Sequence, residues 1–149
     1  MNWDYVGGFF DGEGSIARSG GSFRISIAQT NEEILNEICD FAGVGHVFKV
    51  TKRKEHWKDS WVYHIGSKKD IHLFLKRISP YLILKKDLAG EAISCLAKEI
   101  AEKEKIKEKR REIKRKAKSL RRKGWSYRKI GRELKVDWGD ARRLILDLR

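Results

Sequence analysis

The sequence has few of the residues that characterise secreted proteins. Its 149 residues include two cysteines, Cys39 and Cys95, and both lie in apolar segments typical of helices. Two cysteines cannot build the disulfide framework of a small secreted domain, and no signal peptide is recognisable. The sequence therefore predicts a protein of a reducing compartment, the cytoplasm, with an organelle as the alternative location.

Hydrophobic runs of the length that a membrane helix needs are also absent, so no membrane partner is expected. Proline and glutamine occur once each, at Pro80 and Gln29. So few amide side chains, beside 37% charged residues, are typical of proteins from hot environments. A hydrophobic fraction of 40% is enough for a packed core and excludes a disordered chain.

Positive charge is concentrated in the last third of the chain. Lys and Arg total 34 against 21 Asp and Glu, which gives a net charge of +13. Residues 1–97 hold 13 basic and 12 acidic side chains, whereas residues 98–149 hold 21 and 9. Such a cationic block indicates a polyanionic partner, either nucleic acid or an acidic membrane surface. A solvated lysine-rich helix without a partner is the other interpretation.

Residues 1–97 show the hydrophobic periodicities of seven elements in the order α-β-β-α-β-β-α, followed by an eighth element, a last core helix. Apolar positions three or four apart predict helices, and alternating ones predict strands. The expected elements are a helix at 3–10, strands at 15–19 and 23–29, a helix at 31–43, strands at 46–52 and 60–65, a helix at 67–80, and a last core helix from residue 85 with Leu88, Ala92 and Leu96 inward. This order predicts an α+β domain with helices on one face of an antiparallel sheet.

Residues 98–149 predict two further parts. Residues 98–119 are expected to form a charged linker helix, with glutamates and basic side chains three or four residues apart. Residues 120–149 are expected to form an all-α module, in which Ser126 caps one helix and the next helix spans 137–148. This module resembles a helix-turn-helix whose Arg142 and Arg143 face outward to DNA. A generic helical hairpin is the alternative.

Residues 6–14 combine two features that are unfavourable in an ordinary helix. Gly7 and Gly8 each cost about 1 kcal/mol relative to alanine, which indicates close approach of another helix backbone. Asp11 and Glu13 lie near a helix C-terminus, whose partial charge is already negative. That conflict indicates a bound divalent cation with oxygen ligands. A helix end with incidental acids is the alternative.

Spacing excludes two other kinds of site. A calcium loop opening at Asp11 would need glycine at its sixth position and glutamate at its twelfth, where this sequence has Ile16 and Ser22. A dinucleotide fingerprint at residues 12–17 would have to follow a strand rather than a helix. The four histidines show no metal-ligand spacing, and His64 alone is expected to touch DNA.

The string Val-Gly-Gly-Phe-Phe-Asp-Gly-Glu-Gly at residues 6–14 resembles the LAGLIDADG motif. Its departures from the motif are Val6 for Leu, Gly7 for Ala and Glu13 for Asp. The element order through residue 97 resembles the same family, as do Gly-Val-Gly at 43–45 and Pro-Tyr-Leu-Ile-Leu-Lys at 80–85. The resemblance is to the single-motif, homodimeric type of LAGLIDADG homing endonuclease, here with a C-terminal helix-turn-helix-like extension.

The resemblance implies a fold, an activity and partners. The fold is that of LAGLIDADG homing endonucleases, an antiparallel saddle-shaped sheet with helices, in residues 1–97. The activity is sequence-specific double-strand cleavage of DNA by a homodimer on a near-palindromic site. Mg²⁺ or Mn²⁺ is the implied cofactor. The implied partners are double-stranded DNA and a second copy of the chain, with no small-molecule substrate, and the location is the nucleoid. An intron or intein origin is also implied.

The resemblance also assigns roles to particular residues. Glu13 matches the catalytic, metal-binding acid, with the Gly12 carbonyl near it, and Gln29 and Lys85 fall where the family orders or polarises the attacking water. Residues implied at the dimer interface are Val6, Gly7, Gly8, Phe10 and Asp11. Residues implied to bind DNA are Ser15, Arg18, Arg24, Ser26, Lys49, Lys52, Arg53, Lys54, His64, Arg128, Arg142 and Arg143.

Two other functions remain open on the same scaffold. A non-catalytic transcription regulator would use the same fold and the C-terminal module to bind DNA. An intron-splicing maturase would use the fold on RNA. The intact Glu13 and the glycine pair favour the nuclease.

Overall fold

A computed structural model describes residues 1–52 and 54–146. Arg53 and the end of the helix expected at 137–148 therefore lie outside the described residues. The helices and strands within the described residues are α1 Trp3–Glu13, β1 Gly14–Ser19, β2 Ser22–Gln29, α2 Glu32–Ala42, β3 His46–Lys49, β4 Trp61–Ile65, α3 Lys68–Ile78, a 3-10 helix Ser79–Tyr81, α4 Lys86–Arg122, α5 Tyr127–Leu134 and α6 Trp138–Leu146.

The strands form an antiparallel sheet in the order β1-β2-β4-β3. Alternate side chains of the two central strands point into the core, among them Ile25, Ile27 and Tyr63, which are fully buried. Helices α1, α2 and α3 pack on this side of the sheet. The expected α+β class and the order α-β-β-α-β-β-α of the first seven elements are confirmed.

Local capping explains where the helices begin and end. The Asn2 side chain accepts the N–H of Tyr5 at the start of α1. The Asn31 side chain accepts the N–H of Ile34 at the start of α2. Gly43 ends α2 in the left-handed region, with φ of 67°, a conformation that glycine adopts without a steric penalty. The sequence predicts the α2 boundaries correctly because capping residues stand at both ends.

The last helix of the sheet domain differs from its prediction. Ala92 and Leu96 are buried on its inner face, as predicted. Leu88 is instead 42% exposed, and the neighbouring Ala89 is buried in its place. In addition, α4 runs without a break from Lys86 to Arg122. The core helix and the charged linker helix that the sequence predicts separately are therefore one helix.

The chain divides into two compact units, Met1–Ile100 and Ala101–Arg149. The second unit has a small core of its own, in which Ala117, Ile130 and Ala141 are fully buried. Ser126 caps α5, as predicted, by accepting the N–H of Lys129. Across residues 1–52 and 54–146, no helix has both the length and the apolar character that crossing a bilayer requires.

Candidate functional site

Helix α1 has a buried face and an exposed face. Val6 and Phe10 are fully buried in the core of the first unit, and the Phe10 ring meets the Phe74 ring edge-on at 5.7 Å. On the other side, Tyr5 is 48% exposed and its ring stacks on Phe9 at 6.0 Å. The helix therefore presents a partly aromatic surface that the first unit does not cover.

The two adjacent glycines of α1 differ in how closely other atoms approach them: Gly7 is crowded and Gly8 is not. A Cβ atom on Gly7 would lie 2.6 Å from the Cβ of Tyr81 and 3.4 Å from the Ile78 carbonyl oxygen, so Gly7 is needed for packing within the chain. A Cβ atom on Gly8 or Gly12 would meet nothing within 4 Å. Gly8 and Gly12 are four residues apart and thus lie on one side of the helix. They form a strip without side chains on its exposed face.

The dimer interface predicted from the sequence needs correction. Val6, Gly7 and Phe10 are enclosed by the core and the 3-10 helix of their own chain, so they have no surface to offer a partner. Asp11 is likewise only 8% exposed. Of the five predicted residues, Gly8 alone lies on the exposed face. The other four residues are buried against their own chain, so their residue types reflect packing within the subunit.

Asp11 connects the end of α1 to the start of α4. Its carboxylate accepts the backbone N–H groups of Ile83, Leu84 and Lys85, at 2.9, 2.8 and 2.8 Å. These hydrogen bonds, with that of Leu84 the strongest influence, hold the pKa of Asp11 below its usual value. The carboxylate is therefore charged at neutral pH and fully engaged by backbone donors.

Lys85 supplies a cation at the same place. Its Nζ donates to the backbone carbonyl of Asp11 in the last turn of α1, where the helix dipole is negative and favours positive charge. The sequence argument that this helix end requires a metal is weakened, since Lys85 and the backbone groups of residues 83–85 already relieve the charge conflict. A metal site here depends on Glu13 instead.

Glu13 and Gln29 lie at one end of the sheet. Glu13 ends α1 with an exposed side chain, and Gly14, the next residue, pairs with Ile27 of β2. Gln29 is two residues beyond Ile27 and is half-buried. In the described part of the chain, neither side chain makes a hydrogen bond. The fold thus brings Glu13, Gln29 and Lys85 to the same region, with the first two unengaged.

The sheet has an open face opposite the helices. One row of partners crosses its four strands: Ser15 lies opposite Ser26, Ser26 opposite His64, and His64 opposite His46. The imidazole rings of His46 and His64 are 5.4 Å apart. Arg24 extends from the same face, as alternation along β2 requires. We define the open sheet face as Ser15, Arg24, Ser26, His46, Phe48 and His64.

His64 is uncharged at neutral pH in this setting. Partial burial lowers the pKa of His64, and the neighbouring His46 and Arg24 lower it further by charge repulsion. A neutral imidazole has one hydrogen-bond donor and one acceptor. Together with the hydroxyls of Ser15 and Ser26, the row offers both donors and acceptors to a ligand. Such a mixed set can discriminate between the edges of base pairs.

Two predicted DNA contacts lie on the other side of the sheet. Arg18 is opposite Phe23 in the register, and its guanidinium lies 5.3 Å from the centre of that ring and 3.7 Å from the Glu91 carboxylate. Lys49 is opposite Trp61 and lies over its indole ring at 5.4 Å. Successive side chains of a strand alternate between faces, so both side chains lie on the face opposite the open sheet face, and their binding to DNA stays a prediction.

Lysines of the following loop are held by a carboxylate. Asp59 accepts hydrogen bonds from Lys49 at 2.9 Å and from Lys52 at 2.8 Å. The bond from Lys52, followed by that from Lys49, lowers the pKa of Asp59. One of the two positive charges is therefore neutralised within the loop. Lys54 is exposed without such a partner in the described residues.

Sequence reasoning missed four residues on these surfaces. His46 and the 45% exposed Phe48 belong to the open sheet face. Ile83 and Leu84 are 84% and 81% exposed directly beside Asp11. Two large apolar residues in a short loop before a helix are the signal that could have identified them. His46 is identified only by the register of β3 with β4, which places it opposite His64.

The sequence of this chain matches a known family, and its fold is similar to those of known proteins. The family model of the LAGLIDADG-like domain matches residues 4–79, just over half of the chain. No curated protein sequence matches significantly. The fold is similar to I-Vdi141I, described as an archaeal intron-encoded homing endonuclease complexed with DNA, at 20% identity and a TM-score of 0.55 over 97% of this chain and 94% of that one.

Two further solved structures share the fold. The homing endonuclease I-TnaI is 18% identical, with a TM-score of 0.54 over 100% of this chain and 99% of that one. The homing endonuclease I-CvuI, in complex with the I-CreI target in the presence of 2 mM Mg, is 20% identical with a TM-score of 0.50. That match covers 64% of this chain and 65% of I-CvuI, less than two thirds of its length. The matched family model, the motif helix and the element order together show that this chain belongs to the LAGLIDADG-like domain family.

Proposed function

We propose that the chain is a sequence-specific double-strand DNA endonuclease that works as a homodimer with a divalent metal. The observation that carries this proposal is the exposed, unengaged carboxylate of Glu13 at the end of α1, in the same region as Lys85. The DNA complexes of I-Vdi141I and I-CvuI support DNA as the partner. An intron or intein origin belongs to the same proposal, since I-Vdi141I is described as intron-encoded.

The residues at the end of α1 fit Mg²⁺ or Mn²⁺ in donor type. The Glu13 carboxylate and the Gly12 carbonyl are hard oxygen donors, and carbonyls in the last helical turn lack an intrahelical partner. A bound divalent ion would activate water and stabilise charge on the attacking and leaving oxygens. The described residues contain no cluster of three His, Cys, Asp or Glu able to hold a metal. Further ligands would therefore come from water, DNA phosphates or a second copy.

Each of the three catalytic candidates has a distinct task. Glu13 provides the ligand carboxylate. The Lys85 ammonium, anchored on the Asp11 carbonyl, stabilises negative charge that develops on the phosphate oxygens during cleavage. The Gln29 amide both donates and accepts hydrogen bonds, which suits it to orient an attacking water. Asp11 acts as a positioning residue, because its three backbone hydrogen bonds fix the start of α4 relative to α1.

The exposed face of α1 supports a homodimer. Gly8 and Gly12 cost the helix about 1 kcal/mol each relative to alanine, and no contact among the described residues explains either of them. A second α1 helix could approach this strip closely. The exposed side chains of Tyr5, Ile83 and Leu84 supply apolar area beside it, as an interface between identical subunits requires. The twofold arrangement would bring two Glu13 carboxylates together, one for each DNA strand.

The open sheet face and the second unit would bind the DNA. Ser15, Arg24, Ser26 and His64 would read base edges, and Lys52 and Lys54 would contact the phosphates. Arg18 and Lys49 lie on the opposite side of the sheet and are left out of this proposal. The proposed domains are a nuclease domain at 1–97, a linker at 98–119 and a DNA-binding module at 120–149. In that module Arg128, Arg142 and Arg143 are all exposed, and Arg143 is paired with Asp140 at 2.6 Å.

The decisive experiment is cleavage of a plasmid that carries the uninterrupted insertion site of the gene. Supercoiled plasmid should become linear with Mg²⁺ and remain supercoiled with EDTA, because hydrolysis depends on the divalent ion. Gel electrophoresis of the products measures both outcomes. Tight, specific binding without any cleavage would overturn the proposal and favour the non-catalytic regulator.

The Asp59 carboxylate should restrain the affinity of the chain for non-specific DNA. Asp59→Asn would release Lys52 for a phosphate contact. One new contact steepens the salt dependence of binding by about 0.9 in the log–log slope. We expect affinity for a random duplex to rise about 3–10-fold at 0.1 M salt, measured by fluorescence anisotropy.

The matched control for Asp59→Asn is Glu55→Gln, which removes the same charge from the same loop. Glu55 is exposed and holds no lysine in the described residues. It should therefore change affinity less and leave the salt slope close to that of the parent. Equal effects of the two substitutions would contradict the release of Lys52 and leave simple charge repulsion as the cause.

A further inference from the structure

The turn between α5 and α6 contains an unusual backbone conformation. Lys135 has φ of 53° and ψ of 43°, in the left-handed region. Among the described residues, every other positive φ belongs to a glycine. A side chain is disfavoured in this region because its Cβ approaches the following carbonyl oxygen. A lysine at this position therefore lowers the stability of the turn relative to glycine.

The turn is a regular helix ending in which glycine is the preferred residue. The N–H of Val136 donates to the Gly131 carbonyl at 3.0 Å, and the N–H of Lys135 donates to the Arg132 carbonyl at 3.3 Å. This pair of hydrogen bonds defines a Schellman motif, whose left-handed position is usually glycine. Residues in disfavoured conformations are concentrated at functional sites. The lysine side chain is thus the feature that needs an explanation.

Lys135 lies among other cations that have no acidic partners. Together with Arg128, Arg132 and Trp138, it lines an open cleft of about 450 Å³. None of these three cations forms an ion pair with a described residue, whereas cations of α4 do, for example Lys116 with Glu112 at 2.8 Å. The positive charge of the turn is therefore available to an external anion.

Trp138 and Asp137 also line the cleft. The indole of Trp138 is 53% exposed, although it is large and mostly apolar. Asp137 is the one carboxylate among the lining residues, and its Oδ1 accepts the N–H of Gly139 at 2.7 Å. That carboxylate is committed to capping α6. Three cations and one engaged carboxylate leave the cleft with a net positive charge.

We propose that Arg128, Arg132, Lys135 and Trp138 form a site for the phosphate backbone of duplex DNA. Two guanidinium groups can each hold a phosphate with paired hydrogen bonds, and the ammonium adds a point charge. The exposed indole can donate its N–H and pack on a sugar. This inference rests on the proposed DNA binding by the second unit. It places the backbone contacts at the α5–α6 turn, apart from Arg142 and Arg143 on α6.

The substitution Lys135→Gly separates binding from stability. In the full-length chain with Glu13→Gln, which prevents cleavage, glycine should raise the melting temperature because it relieves the left-handed conformation. It should weaken binding to a random 30-base-pair duplex about 5–10-fold at 0.1 M salt, and should reduce the log–log salt slope by about 1. Fluorescence anisotropy across a salt series measures both quantities. Weaker binding by a more stable protein cannot result from unfolding.

Two controls make the result specific. Lys135→Arg keeps the charge and should keep both affinity and salt slope. Lys105→Gln removes an exposed charge elsewhere in the second unit and should have a clearly smaller effect. Parental affinity and slope in Lys135→Gly, or an effect equal to that of Lys105→Gln, would overturn the site.

Competition with other nucleic acids tests whether the phosphates bound at this site belong to duplex DNA or to RNA. A loss in Lys135→Gly that is confined to single-stranded RNA, with duplex DNA binding unchanged, would overturn the assignment to DNA. If the parent chain does not bind duplex DNA at all, the proposed function fails, and this inference fails with it. Failure of the site alone leaves parental DNA binding intact, so the two outcomes are distinguishable.

Discussion

Replacement of Glu13 by glutamine should abolish DNA cleavage while DNA binding survives. The substitution keeps the size of the side chain but removes the single exposed carboxylate at the end of α1. Changes to groups outside the ligand set of a metal already reduce affinity or activity about 10–100-fold. Loss of a ligand itself should therefore slow single-turnover cleavage by more than about 100-fold. Binding, measured without metal, should be equal or tighter, since a negative charge near the phosphates is removed.

The control for Glu13→Gln is Glu37→Gln on α2. Glu37 is an exposed carboxylate of the same unit, and its replacement makes the same change in net charge. It should cleave at the parental rate. Unaltered cleavage by Glu13→Gln would refute the assignment of this residue, whereas equal losses in both variants would point to a general effect of charge.

The sequence predicts the fold well because its signals are local. Asn31 and Gly43 mark the two ends of α2, and alternation in residues 23–29 identifies the buried side of β2. Prediction is less successful where the decisive contact joins distant residues. The backbone hydrogen bonds of Asp11 connect it to positions 72–74 residues further along the chain, and no local pattern indicates that they exist.

In the candidate site, too, some residues can be placed from the sequence and others cannot. Glu13, Gln29 and Lys85 are brought to one region, as the family resemblance implies, although their roles stay predictions. The resemblance implies that Arg18 and Lys49 bind DNA, but both lie on the face opposite the open sheet face. The face that each occupies depends on the exact pairing register, and a shift of one residue exchanges the faces. Charge alone therefore could not place them.

Gly8 and Gly7 offer a paired test of the homodimer. In the isolated chain, Gly8→Leu meets open space and removes a glycine from a helix, so each subunit should keep or gain stability by up to about 1 kcal/mol. In a dimer, both copies would insert a leucine into a close helix contact. Overpacking costs about 1–3 kcal/mol for each insertion, and about 1.4 kcal/mol corresponds to a tenfold change in affinity. Two insertions thus cost about 2–6 kcal/mol, so we expect the dimer dissociation constant to rise at least about 30-fold.

Cleavage should fall together with dimerisation in Gly8→Leu, because each subunit supplies one Glu13 carboxylate. Analytical ultracentrifugation measures the dissociation constant, and the plasmid assay measures cleavage at the same protein concentrations. Gly7→Leu should behave differently: its Cβ would lie 2.6 Å from that of Tyr81, so thermal unfolding should show a loss of about 1–3 kcal/mol in the subunit itself. A Gly8→Leu chain that still dimerises and cuts would refute the interface. A parent chain that cuts both strands as a monomer would refute the requirement for a second Glu13.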